Sequence, residues 1–326
     1  MPTILFRCIR YLPVVAACLL LVAGTGCKEA IDSTQQPTLP AINEETQHAA
    51  YTLAVIYPMS HPFFEPVTKE AEEAARQAQV NIIVKSPEEA NLEQQIRMME
   101  NLIKQQVDGI AIDPVDPDAL TPYINKAVEA GIKVICFDSD APDSKRLSFI
   151  GSHNRQAGIR LGQTVAELMN GRGMIIASTG MNTMMNMRER EEGFKDALKA
   201  HPDIQLLELR SNHGDPAISL QNLEEMIEAH PHFDAFVGFD SLSGPSAIMV
   251  WKAKGLTQTA VAFDDMPEIL EGIRNGQLTA TVSQQESRWG YLIVTRLIEA
   301  IKNKDIPAID DSGSVVITKD NVDTFR

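Results

Sequence analysis

From Thr52 onward, short apolar segments typical of buried strands alternate with segments of helical periodicity, and this alternation constrains the fold more than any other feature. Continuous apolar strands that alternate with amphipathic helices are typical of parallel sheets covered on both faces. The predicted strands cover residues 52–57, 80–85, 109–113, 132–137, 147–150, 173–178, 204–209, 234–238, 259–263, 279–283 and 315–318. The predicted helices cover residues 64–79, 92–106, 118–130, 155–170, 187–200, 216–230, 243–254, 266–275 and 287–303. Roughly ten strands exceed what one doubly wound sheet usually holds, so the pattern predicts two α/β domains.

Length and charge narrow the possible functions. The chain has 326 residues, enough for two domains that each bury a core. Lys plus Arg total 29 against 44 Asp plus Glu, a formal net charge of −15. So acidic a surface repels phosphate backbones and anionic membranes, which argues against a nucleic-acid partner and against broad membrane docking. The four cysteines are too few for a disulfide framework, and Cys136 lies in an apolar strand, where we expect an inert core thiol.

The first 26 residues have the organisation of an export signal. Arg7 and Arg10 precede an apolar run over 11–23, which is too short to span a bilayer as a stable helix. Small residues then lead to Cys27, a pattern that resembles a bacterial lipoprotein signal, in which this cysteine becomes the lipidated first residue. The alternatives are an ordinary secretory signal in which Cys27 is incidental, or cleavage before Cys18, against which the continuing apolar run argues.

Residues 27–50 form a compositionally distinct segment between the signal and the body. Gln, Thr, Pro, Glu and Ala dominate it without periodicity, which predicts a flexible tether. Loss of residues 1–26 removes two positive charges and no negative one, so the remaining chain carries a formal charge of −17. We therefore expect a body in the periplasm or at the cell surface, attached to a membrane only through the lipid on Cys27.

Acidic residues follow several of the predicted strands. Asp113, Asp138, Asp240 and Asp264 each close an apolar run. One such aspartate commonly caps the next helix. Ligands of open parallel sheets, however, bind beyond the carboxyl ends of the strands. A group that converges there from both halves of the chain indicates a binding site.

The motifs of common enzyme classes are missing from the sequence. There is no P-loop, no G-x-G-x-x-G after the first strand, no G-x-S-x-G elbow and no C-x-x-C. The seven histidines lack metal-ligand spacing. The methionines at 181, 184, 185 and 187 suit adaptable packing or a loop along a cleft better than Cu(I) binding. We therefore expect a binding protein, not an enzyme, with no cofactor and no metal.

Six segments in this order carry a family resemblance. The first five are S-H-P-F-F-E at 60–65, Q-V-D-G-I-A-I-D-P at 106–114, V-I-C-F-D at 134–138, R-E-R-E-E-G-F at 188–194 and A-F-D at 262–264, and a sixth, G-Q-L-T-A-T-V-S-Q-Q at 276–285, follows them. With these segments the body, from about Thr52 to Val316, resembles the bacterial periplasmic sugar-binding proteins of the ribose-binding type, which are type I binding proteins of ABC importers.

The resemblance implies an α/β fold of two doubly wound parallel-sheet lobes joined by a three-segment hinge. The crossings are expected near residues 152–154, 284–286 and 310–313. The N-terminal lobe would then comprise residues 51–152 and 285–311. The C-terminal lobe would comprise residues 153–284 and 312–326.

The resemblance also implies ligand-binding residues from both lobes. The first lobe would supply His61, Phe63, Phe64, Asp113 and Asp138. The second lobe would supply Arg190, Phe239, Asp264 and Gln284. Phe63 or Phe64 would pack against the C–H face of a sugar ring, while carboxylates and Arg190 would bind hydroxyl groups. His61, Asp113 and Phe239 stand where ribose binders carry Asn, and the second lobe lacks its usual aromatic residue in the 211–216 loop. We therefore expect one aromatic platform to have moved to Phe239, and a ligand other than ribose.

The function implied is capture of a monosaccharide, or a related polyhydroxylated ligand, for delivery to the membrane permease of an ABC importer by a monomeric protein. The alternative is a sensory component that presents its ligand state to a membrane receptor, since both would use the same cleft. A DNA-binding repressor would need a helix-turn-helix in the first sixty residues, where this chain has a signal and a tether.

Overall fold

The computed structural model describes residues 49–325 and contains two six-stranded sheets within that range. The predicted α/β fold of two doubly wound, parallel-dominated lobes is confirmed. The predicted signal, the lipidation site Cys27 and all but the last two residues of the predicted tether lie outside the described residues.

The first lobe is built on an all-parallel sheet. Its strands are β1 (Thr52–Ile56), β2 (Asn81–Lys85), β3 (Gly109–Ile112), β4 (Lys133–Phe137), β5 (Phe149–Gly151) and β11 (Ile309–Asp311), in the order β11-β5-β4-β3-β1-β2. The helices that pack with this sheet are α1 (Glu65–Ala78), α2 (Leu92–Gln105), α3 (Pro117–Glu129) and α9 (Trp289–Ile301). Every residue of β3 and all but the first residue of β1 and β4 are buried, which explains their continuous apolar sequences.

The second lobe repeats this plan with one antiparallel edge. Its strands are β6 (Arg172–Thr179), β7 (Asp203–Ser211), β8 (Ala235–Gly238), β9 (Thr259–Phe263), β10 (Ala280–Ser283) and β12 (Val315–Thr318), in the order β12-β10-β9-β8-β6-β7. Only β12 runs antiparallel to its neighbour, β10. The helices are α4 (Asn154–Leu168), α5 (Met185–Leu198), α6 (Pro216–Ala229), α7 (Ser243–Lys254) and α8 (Pro267–Asn275).

The chain passes between the two lobes three times: after β5, after β10 and after β11. The crossing segments contact one another, because Ser152 Oγ donates to the Gly313 carbonyl at 2.7 Å and Gln285 Nε2 donates to the Ser312 carbonyl at 2.9 Å. The crossings fall where the sequence places them. The residue-level lobe boundaries given above stay a prediction.

Strand β11 is absent from the sequence prediction. It has only three residues, Ile309–Asp311, and two of them are aspartates, so it carries no apolar run. It is held in the sheet by its backbone pairing with β5. Helix α9 begins at Trp289, because residues 286–288 form a 3₁₀ turn.

Candidate ligand-binding site

A cavity lies between the two lobes at the carboxyl ends of their parallel strands. Its empty volume, including the open solvent at its mouth, is about 500 Å³. Seven of the nine predicted ligand-binding residues line it: His61, Phe63, Phe64, Asp138, Arg190, Asp264 and Gln284. The other two, Asp113 and Phe239, do not.

A tight turn at the start of α1 forms the aromatic side of the cavity. Residues Pro62–Phe64 make a 3₁₀ turn, and His61 caps it because its Nδ1 accepts a hydrogen bond from the Phe63 amide at 3.2 Å. Phe64 stacks on Tyr57 at 4.5 Å, and Phe63 packs edge-on against Trp289 at 6.0 Å between ring centroids. Burial lowers the pKa of His61. The two rings are therefore held by the first-lobe core while they border the cavity.

Arg190 is the centre of the second-lobe side, with 1% of its surface exposed. Its Nε donates to Asn154 Oδ1 at 2.8 Å, its Nη1 to the Phe239 carbonyl at 3.1 Å, and its Nη2 to Gln284 Oε1 at 2.7 Å. The guanidinium carbon lies 4.1 Å from the centroid of the Phe263 ring, a cation–π distance. A buried cation is tolerated here because its donors point at oxygen atoms on three sides.

Close helix packing carries Arg190 into this position. Helices α4 and α5 approach so closely that a Cβ at Gly158 would stand 2.1 Å from the Arg190 carbonyl oxygen. A Cβ at Gly193 would stand 2.0 Å from the Arg155 carbonyl oxygen. The two glycines therefore let the backbones meet, and this brings Asn154 at the start of α4 next to the guanidinium group.

Two first-lobe carboxyl groups lie side by side, one at the cavity and one behind it. Asp138 follows β4 in a left-handed conformation (φ 56°), and its Oδ1 lies 3.5 Å from Arg190 Nη2, an ion pair between the lobes. Asp113 is fully buried, and burial together with the neighbouring Asp138 raises its pKa well above the ordinary value. Asp113 Oδ2 has no hydrogen-bond partner in the described residues. We infer that Asp113 is protonated and directs its proton toward Asp138.

Asp113 therefore acts behind the cavity, and this corrects its expected place among the residues lining it. Its Oδ1 accepts a hydrogen bond from the Ser139 amide at 3.3 Å, which fixes the turn that carries Asp138. Gln95 of α2 fixes the same sheet edge, because its side chain bonds the Asp113 and Tyr57 carbonyls and the Val115 amide. Nothing in the sequence pattern singles out Gln95, which occupies an ordinary polar position of an amphipathic helix.

Asp264 and Gln284 complete the second-lobe network. Asp264 adopts φ 71° after β9, and its Oδ1 accepts a hydrogen bond from Gln284 Nε2 at 2.8 Å. Burial raises the pKa of Asp264 to about 7 although Arg190 and Gln284 act in the opposite direction. The Gln284 side chain thus connects Asp264 to Arg190 with both of its polar atoms used.

Phe239 lies in the second-lobe core, so its ring does not form the aromatic platform expected from the sequence. The ring packs edge-on against Phe194 at 5.1 Å and is 1% exposed. Ala235, Val237 and Phe239 belong to the same core cluster, since alternate residues of a strand share a face. The contribution of Phe239 to the site is its backbone carbonyl, which accepts from Arg190.

Several lining residues are missing from the predicted set. They are Pro58, Met59, Gly180, Met181, Met184, Asn186, Met187, Gly214, Asp240, Ser241 and Leu242. The strand-end pattern marks Asp240, and the methionine cluster predicts a loop along a cleft, which three of its four members confirm. Asn186 carries no signal of its own. Its Oδ1 accepts from the Met187 amide at 2.8 Å, whereas its buried Nδ2 has no partner in the described residues.

The lobes also contact each other beside the cavity. Helix α5 has no side-chain cap from its own N-cap residue, Met184. Instead, Ser139 of the first lobe accepts hydrogen bonds through Oγ from the Met185 amide at 3.1 Å and the Asn186 amide at 3.4 Å. Thr183 Oγ1 donates to the Val115 carbonyl at 2.6 Å. The first lobe therefore caps a second-lobe helix.

Other chemistry is absent from this region of the described structure. Among residues 49–325, no group of three or more His, Cys, Asp or Glu side chains is arranged to hold a metal ion. Cys136 is buried in β4, and burial raises the pKa of its thiol. The cavity thus offers aromatic faces, carboxyl groups, an amide and a guanidinium group, a set suited to holding a polar ligand between two lobes.

Residues 53–305 match the family described as periplasmic binding protein domain. The chain belongs to this family. The D-ribose/D-allose-binding protein of Pseudomonas aeruginosa is 26% identical over 259 residues, which cover 76% of this chain and 80% of that protein. The ribose import binding protein of Bacillus subtilis is 23% identical over 248 residues, which cover 76% of this chain and 80% of that protein.

Solved structures of periplasmic binding proteins agree with this chain in fold. An ABC transporter solute binding protein from Burkholderia graminis, in complex with D-arabinose, has a TM-score of 0.82 and 31% identity, over 86% of this chain and 99% of that one. The glucose-galactose binding protein GanP from Geobacillus stearothermophilus has a TM-score of 0.80 and 26% identity, over 83% of this chain and 98% of that one.

Membership makes this chain a substrate-binding protein of a family that works outside the cytoplasm. Within residues 49–325, no helix is long and apolar enough to cross a membrane.

Proposed function

We propose that this periplasmic binding protein captures a monosaccharide or a related polyhydroxylated ligand between its lobes and delivers it unchanged to the permease of an ABC importer. One observation carries the proposal. Asp138 and Asn186 line the cavity beside the rings of Phe63 and Phe64, and the buried atoms Asp138 Oδ1 and Asn186 Nδ2 have no hydrogen-bond partner in the described residues; Asp138 Oδ1 only forms the ion pair with Arg190. A hydroxyl group donates and accepts at once, so it suits both atoms, and the rings suit the C–H face of a sugar.

The relatives support this ligand class. The similar proteins described above carry ribose, allose, arabinose, glucose or galactose in their names. We propose that His61, Phe63, Phe64, Asp138, Arg190, Asp264 and Gln284 bind the ligand, and that Asn186 joins them. Asp113 and the Phe239 carbonyl support this set from behind.

A panel of pentoses, hexoses and polyols tests the proposal by thermal shift and titration calorimetry. At least one sugar should raise Tm, since a ligand that binds only the folded state stabilises it. Asp138→Asn keeps the size of the side chain but replaces one acceptor oxygen by a donor, so it should abolish the shift. Asp118→Asn, at an exposed position in the first turn of α3, is the matched control and should bind normally. Failure of every sugar to bind the wild-type protein would refute the proposal.

We also propose a signal over residues 1–26, a lipid on Cys27 and a tether over 27–50, of which the structure describes only the last two residues. Its support is the small-residue segment before Cys27. Intact-mass measurement of protein from the membrane fraction should give an acylated chain beginning at Cys27. A mass without an acyl group would refute the anchor.

Transport and sensing differ in one measurable respect. Deletion of the gene should abolish uptake of the radiolabelled sugar if the protein serves an importer. Unchanged uptake, with a lost transcriptional response to that sugar, would instead favour presentation of the bound ligand to a membrane receptor.

A further inference from the structure

Four methionine side chains line the cavity. Met59 comes from the first lobe, Met181 and Met184 come from the segment that joins β6 to α5, and Met187 lies in the first turn of α5. We call these four residues the methionine wall. Met181 also packs against the apolar core of the first lobe. The wall is therefore built from residues of both lobes.

The backbone leaves room for this wall. A Cβ at Gly214 would stand 3.5 Å from Met59 Sδ and 3.6 Å from Met181 Cγ. A Cβ at Gly180 would stand 3.2 Å from Met187 Sδ. The tight position is Gly180, whereas Gly214 lies at ordinary contact distance from Met59 and Met181.

The methionine wall offers a ligand no hydrogen-bond donor and only weak sulfur acceptors. The polar groups of the second lobe do not compensate, because most of their capacity is used within the protein. Both polar atoms of the Gln284 side chain are bonded, and Asp240 accepts from Asn212 at 2.6 Å and from Ser243. A ligand hydroxyl directed at the wall would therefore lose its bonds to water without replacement.

The partnerless polar atoms of the cavity, Asp138 Oδ1 and Asn186 Nδ2, define where hydroxyl groups are received. The rings of Phe63 and Phe64 would pack against one apolar face of the ligand. The methionine wall then remains as a second apolar surface, and thioether side chains adapt their shape to a small alkyl group.

Building on the proposed sugar-binding function, we propose that the ligand is a deoxy sugar, whose methyl group faces the methionine wall while its hydroxyl groups bond Asp138 and Asn186. Apolar pockets discriminate a single methylene group by roughly 10- to 200-fold. An added hydroxyl group is rejected by about 100-fold in such a pocket. The expected preference for a deoxy sugar over its hydroxylated counterpart is therefore at least about tenfold.

Titration calorimetry with matched sugar pairs tests this proposal. The probes are D-fucose against D-galactose, L-fucose against L-galactose, and L-rhamnose against L-mannose; each pair differs by one oxygen atom. In at least one pair the deoxy member should bind about tenfold tighter or more. Met187→Gln, which introduces an amide at similar length, should reduce that ratio. Met249→Gln is the control, because Met249 is 58% exposed and does not line this cavity.

The outcomes separate the two proposals. A tenfold preference that falls in Met187→Gln and persists in Met249→Gln supports the deoxy-sugar proposal. Binding of hydroxylated members as tightly as, or more tightly than, their deoxy partners in every pair overturns it and leaves the sugar-binding function standing. Absence of binding by these six sugars and by the wider panel overturns both. The wild-type ratios decide the question even if Met187→Gln does not fold.

Discussion

The first-lobe and second-lobe sides of the cavity hold their charges in different ways. In the second lobe, Arg190 is bonded to Asn154, Gln284 and the Phe239 carbonyl, and Gln284 is bonded to Asp264. In the first lobe, Asp113 and Asp138 lie side by side, and Asp138 Oδ1 at the cavity has no hydrogen-bond partner in the described structure. The network of Arg190, Gln284 and Asp264 is thus internally satisfied, whereas Asp138 of the first lobe and Asn186 of α5 each retain an atom without a hydrogen-bond partner.

This difference indicates that the Arg190 network provides rigidity, while Asp138 provides bonds to the ligand. A network whose members bond one another is rigid before ligand arrives, and little ordering cost remains to be met on binding. Burial and the neighbouring Asp138 raise the pKa of Asp113, which disfavours two negative charges on the pair, while Asp138 offers an acceptor toward the ligand. The ion pair between Asp138 and Arg190, at 3.5 Å, links the two sides.

Removal of Arg190 should cause the largest loss of stability and of sugar binding. In Arg190→Ala the carboxyl groups of Asp138 and Asp264 lose their buried cation. Breaking a buried ion pair from one side costs about 3–5 kcal/mol. Urea unfolding should register a loss of this size, and sugar binding should disappear. Arg155→Ala, which removes an exposed arginine of α4, is the control and should cost about 1 kcal/mol or less. Equal losses in the two variants would contradict the central role of Arg190.

The raised pKa of Asp264 should make the stability of the folded protein depend on pH. The folded-state pKa of about 7 lies above the ordinary value of 3.8, so the folded protein holds this proton more tightly than the unfolded chain does. The stabilisation that protonated Asp264 gives the folded state is therefore fully present below about pH 4. It is lost as the pH rises through 7, which lowers the free energy of unfolding by an amount on the order of 2–4 kcal/mol. The Tm of Asp264→Asn, measured against pH, should fall less over this window than the wild-type Tm. Parallel profiles would contradict the assignment.

Two substitutions at Asp113 should test the first-lobe carboxyl pair. Asp113→Asn retains a donor that can point at Asp138, so its stability should stay close to that of the wild-type protein. Asp113→Ala leaves Asp138 and the Ser139 amide without this partner and should cost about 1–3 kcal/mol in urea unfolding. If the Asn variant is as unstable as the Ala variant, Asp113 does not act as a protonated donor.

Loss of the cap between the lobes should have the smallest effect. Ser139→Ala removes the acceptor for the Met185 and Asn186 amides at the start of α5. A lost helix cap costs about 1 kcal/mol, so the sugar affinity should fall about fivefold if the cap forms only when the lobes are together. Ser144→Ala, outside the cavity in the same lobe, is the calorimetric control. An unchanged affinity in Ser139→Ala would show that the cap does not favour the bound state.

Sequence reasoning predicts the fold well because each strand of the two sheets, except one, is an apolar run long enough to recognise. The exception, Ile309–Asp311, is held by neighbouring backbone and not by its own apolar side chains. Strand ends also predict the position of the cavity, since Asp138, Asp240 and Asp264 all line it. This follows directly from parallel topology, which gathers the carboxyl ends of strands at one edge.

The direction of individual side chains is harder to predict. Asp113 ends β3 as Asp138 ends β4, yet only Asp138 reaches the cavity, after a left-handed turn that no local residue type demands. Phe239 is a different case, because its two-residue spacing from Ala235 and Val237 places it on their core face. For Phe239, strict alternation along the strand is the signal that predicts the core position.

A crystal structure with the tightest-binding sugar of the panel is the most direct test of how the two sides of the cavity hold the ligand. One ligand hydroxyl should lie within hydrogen-bond distance of both Asp138 Oδ1 and Asn186 Nδ2, with the bonds of Arg190 to Asn154 and Gln284 retained. A ligand bound elsewhere, or one that displaces Asn154 or Gln284 from Arg190, would contradict the division between a satisfied Arg190 network and the receptive atoms of Asp138 and Asn186.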